Sequence, residues 1–144
     1  MASYTENTEI ILKEFALFAD WMDKYNFIIE LGKSLPLIDE KLKTDNYLIS
    51  GCQSQVWLFA KYKEGGVYFT ADSDAIITKG IVNILIRVLS GLSANEIMAA
   101  DMAFVDTIGL REHLSPTRSN GLNAMIKQMK LYALVFKSKY ESNS

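Results

Sequence analysis

The chain has 144 residues, 49% hydrophobic and 22% charged, the make-up of an ordinary globular domain. Fifteen Lys and Arg against seventeen Asp and Glu leave a net charge of −2, so no positive field awaits a nucleic-acid backbone. One cysteine, Cys52, and one histidine, His113, exclude an intramolecular disulfide and argue against multi-thiolate clusters and catalytic zinc sites built on several imidazoles.

The length predicts one domain over residues 1–144, large enough for a core without staples. An unpartnered thiol fits a reducing compartment. The acidic start, with Lys13 as its first basic residue, does not read as a secretory or transit signal. The longest apolar run is the six residues Leu131 to Phe136, against roughly 18 needed for a membrane span. A soluble cytoplasmic protein with no membrane partner is expected.

Ser3 and Glu6 have capping-box spacing, and Ile11, Phe15 and Phe18 follow at helical intervals, predicting a helix from about Thr5 to Ala19. Asp20 caps a second helix from Trp21, with Met22, Tyr25 and Ile29 as its buried stripe and Gly32 as a left-handed end. Pro36 stops it, and a polar connection runs to Asn46. Tyr47 to Ile49, Gln55 to Tyr62 and Val67 to Thr70 read as three strands of an antiparallel meander, with a turn at Lys63-Glu64-Gly65-Gly66. The second strand has Val56, Leu58, Ala60 and Tyr62 on one face, while Trp57 and Phe59 make its other face too apolar for free exposure.

Asp72-Ser73-Asp74 reads as the N-cap of a third helix, whose stripe is Ile77, Ile81, Ile84, Leu85 and Val88 and whose end is Gly91. Ser93 and Glu96 open a short helix to about Ala100. Ser115-Pro116 opens the last one, striped by Leu122, Met125, Ile126, Met129, Tyr132, Ala133 and Phe136. Residues 137–144 form a polar tail expected to fray. The order gives an α+β fold, a short three-stranded antiparallel sheet covered by helices.

Cys52 is the residue with distinctive chemical potential. It lies in Ser50-Gly51-Cys52-Gln53-Ser54, between two predicted strands, where Gly51 permits a turn that a side chain would block. Three readings are open for it. It is a nucleophile, it is half of a Cys52/His113 thiol hydrolase, or it is packing in a structural adaptor.

The string Gly51-Cys52-Gln53-Ser54-Gln55-Val56-Trp57 resembles the signature of the SufE family, sulfur acceptors of iron–sulfur cluster assembly. Trp21, Lys24 and Tyr25, Ile28 to Gly32, Leu35-Pro36, Asp72 to Ala75, Lys79-Gly80 and Leu114 to Leu122 with Met125 also resemble family elements, in family order. The related CsdE acceptors share the pattern. Ala71 departs from it, standing where a glycine often precedes Asp-Ser-Asp.

The resemblance implies that Cys52 takes persulfide sulfur from a PLP-dependent cysteine desulfurase (SufS- or CsdA-like), stimulates that enzyme, and passes sulfur to a SufBCD-type scaffold complex. Such a protein is an accessory to transfer rather than a stand-alone enzyme, needs no cofactor or metal of its own, and works as a monomer or weak dimer. The implied fold is like that of IscU-type scaffolds, but without the three cysteines that would hold a cluster. Asp74 and Arg118 are expected to support the cysteine loop or dock the desulfurase, beside Gly51, Gln53, Ser54 and Trp57 of the signature. Trp57 and nearby aliphatic side chains are expected to wall a hollow in which the Cys52 loop rests before swinging outward.

Overall fold

Side-chain caps fix where four of the helices start. The computed structural model describes residues 2–141. Ser3, Asp20, Ser93 and Ser115 each accept the backbone N–H three residues on, opening α1 (Tyr4–Phe15), α2 (Trp21–Gly32), α4 (Ala94–Ala99) and α7 (Pro116–Phe136). The expected first helix runs four residues too far. The chain tightens after Phe15 through Leu17 N–H to the Glu14 carbonyl and Phe18 N–H to the Phe15 carbonyl, so that Phe15 and Phe18 both meet the Phe27 ring.

The sheet is a hairpin of two strands, β1 (Val56–Lys63) and β2 (Gly66–Ser73), paired antiparallel from Val56 with Ser73 to Lys63 with Gly66. Glu64 and Gly65 both take positive φ, as the twist of a two-residue hairpin loop requires. The expected first strand at Tyr47 to Ile49 does not form. Asp45–Tyr47 is a 3-10 turn, Leu48 makes one isolated bridge to Trp57, and Ile49 N–H reaches the Val56 carbonyl at 2.8 Å. Only the first two residues of β1 lie beside this segment, and the chain turns away at Gly51. On the other edge Leu37 bridges Ala71 in parallel. Both edges of the hairpin are therefore blunted by short segments of the same chain.

Val56, Leu58 and Ala60 of β1 face the core as expected, opposite a face where Phe59 meets Tyr47 edge-on at 5.5 Å. The core is centred on α3 (Ile76–Leu89), an almost wholly buried helix packed against α1, α2, α7 and β2. Burying an apolar helix on most of its faces accounts for a core this size around a two-stranded sheet. Three expectations for this region need correction. Met22 is 68% exposed; Ile28, Leu31 and Gly32 carry the buried face of α2 instead. Gly32 is helical, and its missing side chain serves close packing, since a Cβ there would lie 3.0 Å from Gly80 N. Asp72 to Asp74 do not cap α3, whose N-cap is Ala75 with no side-chain bond; β2 extends through Ser73 instead.

Between α4 and α7 lie two further turns of helix, α5 (Phe104–Thr107) and α6 (Leu110–His113), joined through Gly109 at φ 86°. After α7, residues Lys137–Glu141 continue helically rather than fraying, while the rest of the expected tail, 142–144, lies outside the described residues. Tyr140 stacks on Tyr62, and the Glu141 carboxylate accepts from Tyr62 and from the amides of Ala94 and Asn95.

Candidate functional site

Loop 50–54 is pinned at both ends. On the near side the Ile49 amide is bonded to Val56. On the far side Gln55 is clamped by the end of β2. Its N–H donates to Asp74 Oδ1 at 3.0 Å, and its carbonyl accepts from Ser73 Oγ at 2.8 Å and from the Asp74 amide at 3.3 Å. Asp74 thus supports the base of the cysteine loop. Between the pins Gly51 sits at φ 92°, the left-handed region that a side chain resists.

This geometry lays Cys52 against the second turn of α7. Its thiol donates to the Gly121 carbonyl at 3.7 Å. Gly121 is buried, and a Cβ on it would lie 3.6 Å from Sγ, so only a residue without a bulky side chain lets the loop close. Cys52 is half-buried, and burial pushes its thiol above the ordinary value. Burial thus favours the neutral thiol, a weaker nucleophile than the thiolate.

Cys52 lines a hollow of about 70 Å³. Ile81 of α3 and Met125 of α7 give it apolar walls, while Gln53, Ser54, Thr78, Thr117 and Arg118 bring polar groups to it. The Arg118 amide donates to the Ser115 hydroxyl that caps α7, but its exposed guanidinium makes no ion pair or hydrogen bond among the described residues. Gln53, Ser54 and Arg118 therefore lie with Cys52 around the hollow, Gly51 is beside them in the loop, and Asp74 holds Gln55 at the end of the loop.

Two expected neighbours are elsewhere. Trp57 does not wall the hollow. Its ring lies under Lys43 Nζ at 4.9 Å, and Lys43 also bonds Asp72 at 2.9 Å. The side chains of adjacent strand residues alternate in direction, and the core face of β1 belongs to Val56 and Leu58, which sends Trp57 to the other side. His113 stacks on Trp21 with ring centroids 4.3 Å apart, places Nδ1 3.0 Å from the Gly109 carbonyl, and does not line the hollow. The residue that sequence reading missed is Thr78. Its signal was the lone polar side chain in Ile76-Ile77-Thr78 at the start of an apolar helix. Among the described residues no three His, Cys, Asp or Glu side chains converge as metal ligands would.

Fold and site together define a class of small α+β domain that lays one thiol, carried on the loop leading into a strand, against a helix. The chain belongs to the SufE family: the family model, described as an Fe-S metabolism associated domain, matches residues 9–133. An uncharacterised SufE-like protein of Rhizobium etli is 41% identical over 131 residues, 87% of this chain and 88% of that one. Another, from Rhizobium meliloti, is 40% identical over 125 residues, 83% and 89% of the two chains. The solution structure of a hypothetical protein from Thermus thermophilus shares the fold, with a TM-score of 0.73 at 19% identity over 88% of this chain and 93% of that one. The family places the chain in iron–sulfur metabolism with a sulfur-transfer role, in which SufE proteins work with cysteine desulfurases. Among the described residues no helix is long and apolar enough to cross a membrane.

Proposed function

We propose that Cys52 is the sulfur acceptor. The donor is the persulfide on a partner cysteine desulfurase. The Cys52 thiolate attacks the terminal sulfur of that persulfide. A new S–S bond forms on Sγ, the donor's own S–S bond breaks, and the desulfurase cysteine leaves as a thiolate. The terminal sulfur keeps its oxidation level as it moves, so the step needs no external oxidant or reductant. Relieving the donor of its sulfur stimulates the desulfurase. The sulfur then passes to a SufBCD-type scaffold, and the carrier works as a cytoplasmic monomer or weak dimer.

The observation that carries this reading is that Cys52 lines a hollow of about 70 Å³, space for one more sulfur. A persulfide is readily reduced or over-oxidised, and a covered site protects it. The same cover makes the resting thiol slow, so acceptance requires loop 50–54 to move outward when the desulfurase docks. Asp74 acts as the fixed end of that hinge, and the unpaired Arg118 guanidinium as a contact to the partner. Nothing in the site favours a hydrolase, because the ring of His113 is committed to Trp21 and Gly109.

Cys52→Ser is expected to abolish both sulfur acceptance and desulfurase stimulation. Stimulation that persisted in that variant would favour the adaptor reading instead. Arg118→Ala is expected to weaken stimulation while Cys52 still accepts sulfur from free polysulfide.

A further inference from the structure

Thr78 presents a local inconsistency. It is 7% exposed, in the first turn of α3, and lines the hollow beside Cys52. Among the described residues its hydroxyl has no hydrogen-bond partner, and no unpartnered side-chain oxygen or nitrogen is sealed inside the protein. The hydroxyl therefore keeps some access to open space, and the open space that Thr78 lines is the hollow. A hydroxyl on a residue only 7% exposed has little water to bond, and valine has nearly the same shape with no hydroxyl to satisfy. Packing alone does not explain threonine at this position.

The chemistry of the loaded cysteine supplies a partner. The resting thiol donates its proton to the Gly121 carbonyl. A persulfide is a stronger acid than a thiol, so its terminal sulfur is an anion that accepts hydrogen bonds and gives none. That sulfur cannot replace the bond to the carbonyl and needs a donor in the hollow. Gln53, Ser54, Thr117 and Arg118 also line the hollow with groups that can donate, but they stand nearer the solvent; Thr78 is the buried donor among them.

We infer that the Thr78 hydroxyl donates to the terminal sulfur of the Cys52 persulfide and holds it in the hollow. This rests on Cys52 being the sulfur acceptor. Thr78 is thus a binding residue for the cargo and is idle when the thiol is empty.

The test loads the full chain in two ways, with desulfurase, PLP and L-cysteine, or with inorganic polysulfide. In the second route the Cys52 thiolate takes a terminal sulfur and a polysulfide one atom shorter leaves. The rate at which iodoacetamide captures the terminal sulfur is then followed by mass spectrometry. In Thr78→Val the capture is expected to be roughly tenfold faster than in wild type, the loss of one bond to a charged acceptor. Thr78→Ser restores slow capture, alkylation of the unloaded thiol is unchanged, and the melting temperature of Thr78→Val is equal to or above that of wild type. Equal capture rates in wild type and Thr78→Val overturn the inference, as does a valine variant that melts lower and also alkylates faster when unloaded. Failure of the desulfurase to load wild type counts against the acceptor reading alone, and the polysulfide arm still decides the role of Thr78.

Discussion

The thiol of Cys52 donates to the main-chain carbonyl of Gly121, 3.7 Å away, across 69 residues of sequence. That contact makes the thiol's reactivity depend on the shape of α7. A Cβ on Gly121 fits, at 3.6 Å from Sγ, and a branched side chain does not. Gly121→Ala is expected to leave the alkylation rate of Cys52 nearly unchanged and to stabilise α7 by about 0.5–1 kcal/mol. Gly121→Val is expected to push the loop off the helix and speed alkylation severalfold. Iodoacetamide kinetics with thermal melts of the two variants check both outcomes.

The covered thiol has a pH signature. Burial favours its neutral form, so the folded protein holds the proton more tightly than the unfolded chain. Alkylation of Cys52 should therefore rise with a midpoint above the ordinary thiol value of about 8.5. The stability contributed by this group is whole below the unfolded pKa and declines as pH rises toward the folded one. Docking of the desulfurase should move the midpoint down, as measured by alkylation in the presence of an inactive partner.

Asp74 tests the hinge. Its carboxylate holds the Gln55 amide, and it is exposed, so Asp74→Ala should cost under about 1 kcal/mol of global stability, as the loss of a comparable capping bond does. Its local effect should be larger, with faster hydrogen exchange at Gln55 and faster alkylation of Cys52. An unchanged Gln55 exchange rate would show that Ser73 and the strand alone hold this end.

How much of this was legible in the sequence depended on range. Ser3, Asp20, Ser93 and Ser115 were readable as caps because a cap and its amide lie three residues apart. The Cys52 loop was readable because Gly51 marks its turn locally. The alternation along β1 gave its core face but misassigned Trp57, since which loop covers the other face is set by Lys43 and Asp72, distant in sequence. Asp72 to Asp74 matched a cap pattern, yet apart from the local amides of Ser73 and Ala75 their side chains bond Gln55, Lys43 and Lys79. The expected first strand failed for a similar reason, since Tyr47 to Ile49 has strand composition but only Val56 and Trp57 for neighbours.

The nearly buried Asp72 gives a second pH prediction. Burial pushes its carboxyl up, but the bonds from Lys43 and the Ser73 amide and the charge of Lys79 outweigh it and hold the pKa below the usual carboxylate value. A depressed folded pKa adds stability that is whole above the unfolded value of about 3.9 and is lost as pH falls through the folded one. Melting temperature should drop more steeply below about pH 4 in wild type than in Asp72→Asn, which has no charge there to lose.

Gly80 makes the strongest stability prediction. A Cβ there would fall 1.9 Å from the Ile28 carbonyl oxygen, so α2 and α3 touch backbone to backbone. Gly80→Ala must separate them and is expected to cost about 3 kcal/mol, the upper end of overpacking penalties, in urea unfolding. Gly65→Ala, in open space but at φ 83°, should cost less.

The central claim is that Cys52 receives sulfur. The most direct measurement incubates the full chain with a cysteine desulfurase, PLP and L-cysteine, and weighs the peptide containing Cys52 by mass spectrometry under non-reducing conditions. One added sulfur on that peptide, absent when L-cysteine is withheld, is the predicted result. A peptide of unchanged mass, while the desulfurase itself carries its persulfide, would contradict the account.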